Sequence, residues 1–553
     1  MSTKKINLLF NGLCLFVIAV LGQLAMNIPL VVDEFQVVSH TFDAMSRTPY
    51  LDFPPYKNVL GYYLIGPILS FLGWGWNSLL ATKLLVTIFS VFGVFFLAFR
   101  LNKSRSLGFL LAIVVLFAPT FMAHSSHIRM DLFMGIVGSL NLLFLKENKF
   151  KISGVLLGLA FLISQKAIIF VLCSFVYVVA RLFFKQKDSF KEFIQFAVAS
   201  FLMVFFYSIF WILFSGFDNF ISAFVHGPVR AATIDVYGDV RWRFWGWMIS
   251  ESWAIFILAF LSSVIYAYDL FSKRSIRSSA PAILAFVVFL ALLMQYRTPW
   301  SYTSLIFMPC MLFLFSAAFQ VDIVQRSKKI FYSFIVILVS INFLLTGVDY
   351  FRVSNIDQKK SYELGLKLLD SNNADYYSSF YLYGDRSKES VNILRWLDAK
   401  RLRTIGQFSS EQLKEIVEEW RDSNIKFISD RGRVLRLPKV ITSFLQENYS
   451  RLHGNILIYS PTIKAGSSSF LKFSGKYQVY SADKKDIKFN NKKLKHGEIA
   501  HLDSGEINLK SSGLVRLKLI PELSEEEVLA YDSMSSYNLF LVHPRKYKLL
   551  IAN

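Results

Sequence analysis

The chain has 553 residues, 54% of them hydrophobic and 16% aromatic, with a mean hydropathy of +0.43. A soluble globular protein of this length cannot cover so much apolar surface with its polar residues. The formal charge of +21 does not argue for nucleic acid, because no recognition fold accompanies it and surplus Lys and Arg in a membrane protein mark cytoplasmic loops.

The apolar residues are concentrated before Asp349. Their runs match the length a helix needs to cross roughly 30 Å of hydrocarbon. They predict a polytopic α-helical membrane domain over residues 1–348 with about eleven spans, at 6–28, 77–99, 106–123, 131–145, 152–164, 167–184, 193–214, 244–268, 280–295, 300–320 and 330–348. Lys4 and Lys5 precede the first run, which lacks a small-residue cleavage site and reads as an uncleaved span. Residues 58–73 are apolar but have no basic flank on the cytoplasmic side, so they read as an interfacial or re-entrant helix within the first outer loop, 29–76. Cys14, Cys173 and Cys310 fall inside apolar runs, too scattered for a disulfide framework or a metal cluster.

Alternate loops, beginning with the N-terminus, hold Lys4, Lys5, Arg100, Lys103, Arg105, Lys146, Lys149, Lys151, Arg181, Lys185, Lys187, Lys191, Lys273, Arg274, Arg277, Arg326, Lys328 and Lys329. The opposite loops are longer and hold only Arg47, Lys57, Arg129, Lys166, Arg230, Arg241, Arg243 and Arg297. This bias places the N-terminus in the cytoplasm, and an odd number of spans places the C-terminal part outside a bacterial cytoplasmic membrane.

After Asp349 the composition turns to mixed charge. Helical periodicity at 359–370, 387–399 and 409–422, with β-type runs at 378–383 and 425–429, predicts a small α/β unit over 349–463. From 464 to 553 alternation takes over, as in Phe470–Phe473, Tyr477–Tyr480, Ile487–Phe489 and Leu514–Leu519, with turn signals between the runs. This reads as an antiparallel β-sandwich-like subdomain. The basic stretch Lys484–Lys495 reads as a solvated hairpin.

Ionisable residues near membrane depth cost roughly 2.5–3.5 kcal/mol each on insertion, which makes them functional candidates. Here they collect on the outer side. Asp33 and Glu34 follow the first span, Lys57 opens the 58–73 helix, and Arg129 and Asp131 enter the fourth span. Lys166 lies between the fifth and sixth spans, His226, Arg241 and Arg243 follow the seventh, and Arg297 lies between the ninth and tenth. A carboxylate can take a proton from an attacking nucleophile and cations can stabilise a departing phosphate, a combination suited to a lipid-linked substrate. The bland alternatives are helix ends for Asp33 and Glu34, a structural ion pair for Arg129 and Asp131, and snorkelling for the lysines and Arg297.

These segments resemble the glycosyltransferase-C superfamily, in particular the bacterial protein-mannosyltransferase-like branch that includes the lipid A aminoarabinose transferase. The resemblance covers roughly residues 5–320. Asp33-Glu34 stands where that branch has an acidic motif in the first outer loop. Lys57-Asn58-Val59-Leu60-Gly61-Tyr62-Tyr63 is similar to its Lys-Pro-Pro-Leu-Tyr-Tyr segment, and Arg129-Met130-Asp131 to its Arg and Asp entering the fourth span. Gly158-Leu159-Ala160 through Ser164-Gln165-Lys166 echoes Gly-Leu-Ala…Thr-Lys, and His226 through Arg243-Phe244-Trp245-Gly246-Trp247 echoes the outer loop with a His. The prolines after the lysine are missing, and Tyr56 replaces the acidic residue that precedes it in the aminoarabinose branch.

The resemblance implies an inverting glycosyltransferase that takes a sugar from a polyprenyl-phosphate donor at the outer membrane face and passes it to a lipid, glycan or protein acceptor. Asp33 is implied as general base with Glu34 supporting it and Asp131 orienting the acceptor or a cation. Lys57, Arg129 and Arg297 are implied as donor-phosphate ligands, joined by Lys166, Arg241 and Arg243. Tyr62, Tyr63 and His226 complete the candidate site. No metal-ligand spacing stands out, and a divalent cation enters only as an optional assistant. The rival expectation is a lipid-linked glycan flippase without chemistry, whose internal repeats the sequence lacks.

Overall fold

The structure is a computed structural model and describes residues 3–521 except 54, 56, 187, 227–228, 230–239, 274–275, 297–299, 373–374, 379–408, 430–437, 454–455, 465, 467, 491 and 511–512. The described chain forms two compact units, one of residues 3–28 and 40–354 and one of 29–39 and 355–521.

The helices before residue 350 are α1 (Thr3–Asn27), α2 (Val32–Ser46), α3 (Val59–Leu72), α4 (Trp76–Leu101), α5 (Arg105–Leu116), α6 (Pro119–Ser125), α7 (Met130–Lys146), α8 (Phe150–Ile163), α9 (Ile168–Phe183), α10 (Ser189–Ser215), α11 (Phe217–Ile221), α12 (Arg241–Glu251), α13 (Trp253–Ser272), α14 (Ile276–Gln295), α15 (Ser304–Phe319), α16 (Asp322–Arg326) and α17 (Lys328–Asn342). Six stretches among the described residues are long and apolar enough to cross a membrane: Phe10–Asn27, α4, Gln165–Phe183, α10, α13 and Lys328–Arg352. A seventh arises if α5 and α6 count together, but they are bent by 79°. The bend has a local cause, since Pro119 opens α6 and holds Ala118 extended before it.

Of the eleven spans expected from the sequence, length and composition alone mark six, or seven with the bent pair, among the described residues. The expected spans at 152–164 and 300–320 belong to shorter apolar helices and the one at 280–295 to α14, and the one at 244–268 is split at Ser252 between α12 and α13. The 58–73 segment is α3, whose 14 residues include Pro67 and fall short of a span. Apolar side chains that face outward, such as Phe201, Phe206 and Leu213 on α10, mark a lipid-facing surface.

Helix α7 is central. It packs against α4, α8 and α15, and α8 packs in turn against α10. Asn141 of α7 donates to Ser174 Oγ of α9 at 2.7 Å and accepts from Ser153 Oγ of α8 at 2.6 Å. Such buried side-chain bonds fix helices that apolar contact alone would let slide.

The second unit begins, unexpectedly, with residues 29–39, which the sequence assigned to the first outer loop of the membrane domain. The physical reason is a pair of hydrogen bonds and a ring contact. Gln358 accepts from Leu30 N–H at 2.7 Å and donates to Leu30 O at 2.7 Å, and Phe35 stacks on Tyr362. Gln358 and Tyr362 lie on α18 (Ile356–Asn372), which is followed by α19 (Ser410–Asp422) and α20 (Lys439–Asn448). Ser409 and Gln412 form a capping box at the start of α19.

Strands β1 (Asp375–Ser378), β2 (Ile425–Ser429), β3 (Tyr449–His453) and β4 (Ile456–Tyr459) form one sheet in the order β1-β2-β4-β3, parallel only between β1 and β2. The expected strand at 378–383 begins at the last residue of β1, its residues 379–383 lie outside the described residues, and so does the expected helix at 387–399. Next come β5 (Thr462–Ile463), β6 (Ser468–Leu471), β7 (Gly475–Ser481), β8 (Ile487–Phe489), β9 (Lys492–Leu494), β10 (Ile499–Leu502), β11 (Gly505–Lys510) and β12 (Val515–Leu519). They form two four-stranded antiparallel sheets, β10-β7-β12-β5 and β6-β11-β8-β9. β12 buries Val515, Leu517 and Leu519 and turns Arg516 and Lys518 outward, the alternation seen in the sequence. Because β5 pairs with β12, the α/β sheet ends at Tyr459 rather than at 463.

Candidate active site

Three interruptions in the helical unit bring charged residues together. Lys57 lies two residues before α3. Arg129 is extended (φ −138°, ψ 134°) immediately before α7, and Asp131 lies in the first turn of α7, where the helix dipole favours a carboxylate. Ser164 is extended (φ −155°, ψ 134°) and ends α8, so Lys166 is presented on the short 3-10 turn Gln165–Ala167 before α9.

Lys57 Nζ is 3.3 Å and Lys166 Nζ 3.1 Å from Asp131 Oδ1, and Arg129 Nη1 is 3.8 Å from Asp131 Oδ2. Tyr302, on a 3-10 turn before α15, adds an aromatic face: Arg129 Cζ lies 3.8 Å and Lys166 Nζ 4.3 Å from its ring centroid. Cation–π attraction and the shared carboxylate thus hold the same groups. The Asp131 side chain is only 4% exposed, whereas Lys57 and Lys166 are 13% and 22% exposed. Three cations thus converge on one carboxylate in a confined place, with the two ammonium groups its more open members.

Close backbone approach builds this geometry. A Cβ on Gly61 of α3 would lie 2.8 Å from Met130 Sδ and 3.0 Å from Ile163 O. A Cβ on Gly135 would lie 2.1 Å from Leu305 O. Gly61 brings α3 against the segments that carry Arg129, Asp131 and Lys166, and Gly135 brings α7 against the segment that follows Tyr302.

The other expected residues are placed as follows. Glu34 is fully buried and accepts from Val31 N–H at 2.8 Å, while its neighbour Asp33, also in the first turn of α2, is half-buried. Both fall in the second compact unit, with residues 29–39. Tyr62 is buried and accepts from Lys57 N–H at 3.1 Å, and Tyr63 stacks on Trp211. Arg241 donates to Met294 O at 3.1 Å and Arg243 lies over the Trp247 ring. Neither arginine has an ion pair to Asp131 among the described residues. His226 is exposed at the end of a π-turn. Among the described residues no group of three or more His, Cys, Asp or Glu is placed to hold a metal ion. Arg297 and Arg230 lie outside the described residues.

Sequence reasoning missed Tyr302, Lys83 and the pair His124 and His127. Lys83 is fully buried in α4 and donates to Ile28 O at 2.6 Å, and a lone Lys inside an apolar run was the signal for it. His127 is buried, with its ring centroid 5.5 Å from that of His124. Burial, together with Lys83, His124 and Arg129, holds its pKa well below 6.5. Tyr302 carries no sequence signal, since an aromatic residue at a helix start is ordinary.

No protein-family model and no curated protein matches the chain. Among solved structures it is similar to the crystal structure of ArnT from Cupriavidus metallidurans bound to undecaprenyl phosphate. The identity is 13%, the match covers 80% of this chain and 88% of that one, and the TM-score is 0.45.

Proposed function

We propose that the protein is an integral-membrane inverting glycosyltransferase that moves a sugar from a polyprenyl-phosphate donor to an acceptor at the outer face of a bacterial cytoplasmic membrane. The observation that carries this reading is the convergence of Lys57, Arg129 and Lys166 on the single carboxylate of Asp131. A cluster of ammonium and guanidinium groups suits a lipid phosphate. The donor phosphodiester carries one negative charge, and its departure as a phosphate monoester creates more. The cations therefore bind the transition state more strongly than the donor, which is the condition for lowering the barrier. The sequence resemblance supports the same reading and assigns the proton transfer.

In this mechanism the acceptor hydroxyl oxygen attacks the anomeric carbon as the bond from that carbon to the phosphate oxygen breaks. Asp33 takes the hydroxyl proton and the phosphate leaves without protonation, so no covalent intermediate with the protein forms. Asp131 holds the cations in register. Glu34 fixes the first turn on which Asp33 stands.

The test uses purified full-length protein in lipid with a polyprenyl-phosphate sugar and an envelope acceptor fraction. Asp33→Asn is expected to abolish transfer while the protein still binds undecaprenyl phosphate, and Lys57→Met to weaken that binding at least about tenfold, as for loss of a charge-assisted contact. Transfer at the unsubstituted rate in Asp33→Asn would remove that residue from the chemistry. Movement of the donor across liposomes with the sugar–phosphate bond intact would sink the enzyme reading.

A further inference from the structure

Asn58 stands where the related segment has proline, and the phosphate reading gives it no role. It occupies the N-cap position of α3 but makes no side-chain cap bond to its own helix, although an Asn there normally uses its side chain on the first turn. Both ends of its amide are directed elsewhere. Asn58 Nδ2 donates to Phe161 O at 2.6 Å, and Asn58 Oδ1 accepts from Gln165 Nε2 at 2.9 Å. Asn58 is 1% exposed, so these bonds are shielded from competing water.

The neighbouring backbone donors are satisfied by tyrosines. Lys57 N–H donates to Tyr62 Oη at 3.1 Å, and Val59 N–H donates to Tyr207 Oη at 3.2 Å, which lies 2.7 Å from Tyr50 Oη. Tyr207 of α10 thus takes the first N–H of α3, while the Asn58 amide is turned to the corner between α8 and α9.

The covalent arrangement gives this bond its meaning. Asn58 adjoins Lys57 and Gln165 adjoins Lys166, and these two lysines meet on Asp131 Oδ1. Two ammonium groups on flexible stems repel each other, and their carboxylate is shared. Their spacing is held only if the backbones that carry them are tied.

We propose that Asn58 and Gln165 form an amide clamp that locks the two lysine-bearing segments together, so that Lys57 and Lys166 grip one phosphate as a preformed pair. They are positioning residues. The proposal rests on the phosphate-binding reading, and a clamp of this kind lowers the ordering cost of binding.

The experiment measures affinity of the purified full-length protein for undecaprenyl phosphate in detergent micelles. Asn58→Ala and Gln165→Met are each expected to weaken binding about fivefold, the scale of one net hydrogen bond. In a Lys166→Met background, where no pair remains to be positioned, either substitution is expected to change binding by less than about twofold. Gln165 is the less buried partner, so its variant carries the test if Asn58→Ala does not fold.

Wild-type affinity in Gln165→Met, or a full additional loss in the Lys166→Met background, would overturn the clamp and leave the phosphate site intact. An unsubstituted protein that does not bind undecaprenyl phosphate, or whose binding survives Lys57→Met, would overturn the phosphate reading and the clamp with it.

Discussion

Lys57 and Lys166 lean on the same carboxylate oxygen of Asp131 while Arg129 approaches the other, so one negative charge serves three positive ones. As a purely structural ion cluster this is a costly arrangement, because three desolvated cations converge on the same carboxylate. It makes sense if an anion joins them. Burial of the cluster also sets a pH dependence. Burial pushes the pKa of Lys57 down to about 8, against the opposing pull of Asp131 and with a smaller push in the same direction from Lys166. A lysine so shifted is charged below about pH 8 and neutral above it, whereas an ordinary lysine stays charged to about pH 10. Because kcat/KM reports the free enzyme, it is expected to fall as the pH rises through about 8. Lys57→Arg, which stays charged, should carry that limb upward. A profile of the unsubstituted enzyme that stays flat to about pH 10 would remove the charge of Lys57 from donor binding.

Helix α7 organises the site because it begins with Arg129 and Asp131 and touches α4, α8 and α15 along its length. Its approach to α15 depends on Gly135, one turn beyond Asp131, where a Cβ would collide with the Leu305 carbonyl. Gly135→Ala must push the two helices apart and draw Tyr302 away from Arg129 and Lys166. A stability loss of about 1–3 kcal/mol is expected, as for overpacking elsewhere, with weaker undecaprenyl phosphate binding. Thermal unfolding and the binding assay check both, and an unchanged midpoint would show that the approach is not tight. Much at this scale was legible: Lys57, Arg129, Asp131 and Lys166 were all singled out by charges next to apolar runs, and the structure joins them. The runs could not reveal the break at Ser252 or the bend at Pro119, because hydropathy measures apolarity and not continuity of the helix. The attachment of residues 29–39 to the second unit was equally hidden, since it rests on Gln358 and Tyr362 more than three hundred residues later. The clamp partner Gln165 lay within a quoted motif, but long-range amide pairing leaves no pattern in a single sequence.

At the level of the whole molecule, the distribution of basic residues and the six or seven helices long enough to span address different questions. The charge bias concerns orientation, and helix length concerns how many times the chain crosses. They can be reconciled if shorter helices such as α3, α8 and α15 lie inside the helical unit without crossing alone, since non-spanning helices at membrane depth are tolerated where protein surrounds them. Orientation then becomes the decisive measurement. Lys103, between α4 and α5, belongs to the basic set of loops and is exposed, as is Lys488 on β8. With Cys14, Cys173 and Cys310 replaced by alanine, Lys488→Cys is expected to react with a membrane-impermeant maleimide in intact spheroplasts. Lys103→Cys should react only after lysis. The reverse pattern would place the β-sheets in the cytoplasm, and the acceptor would then have to be a cytoplasmic molecule. Labelling of both positions in intact spheroplasts would mean that an even number of crossings separates Lys103 from Lys488, and the positive-inside assignment of the Arg100–Arg105 loop would fall.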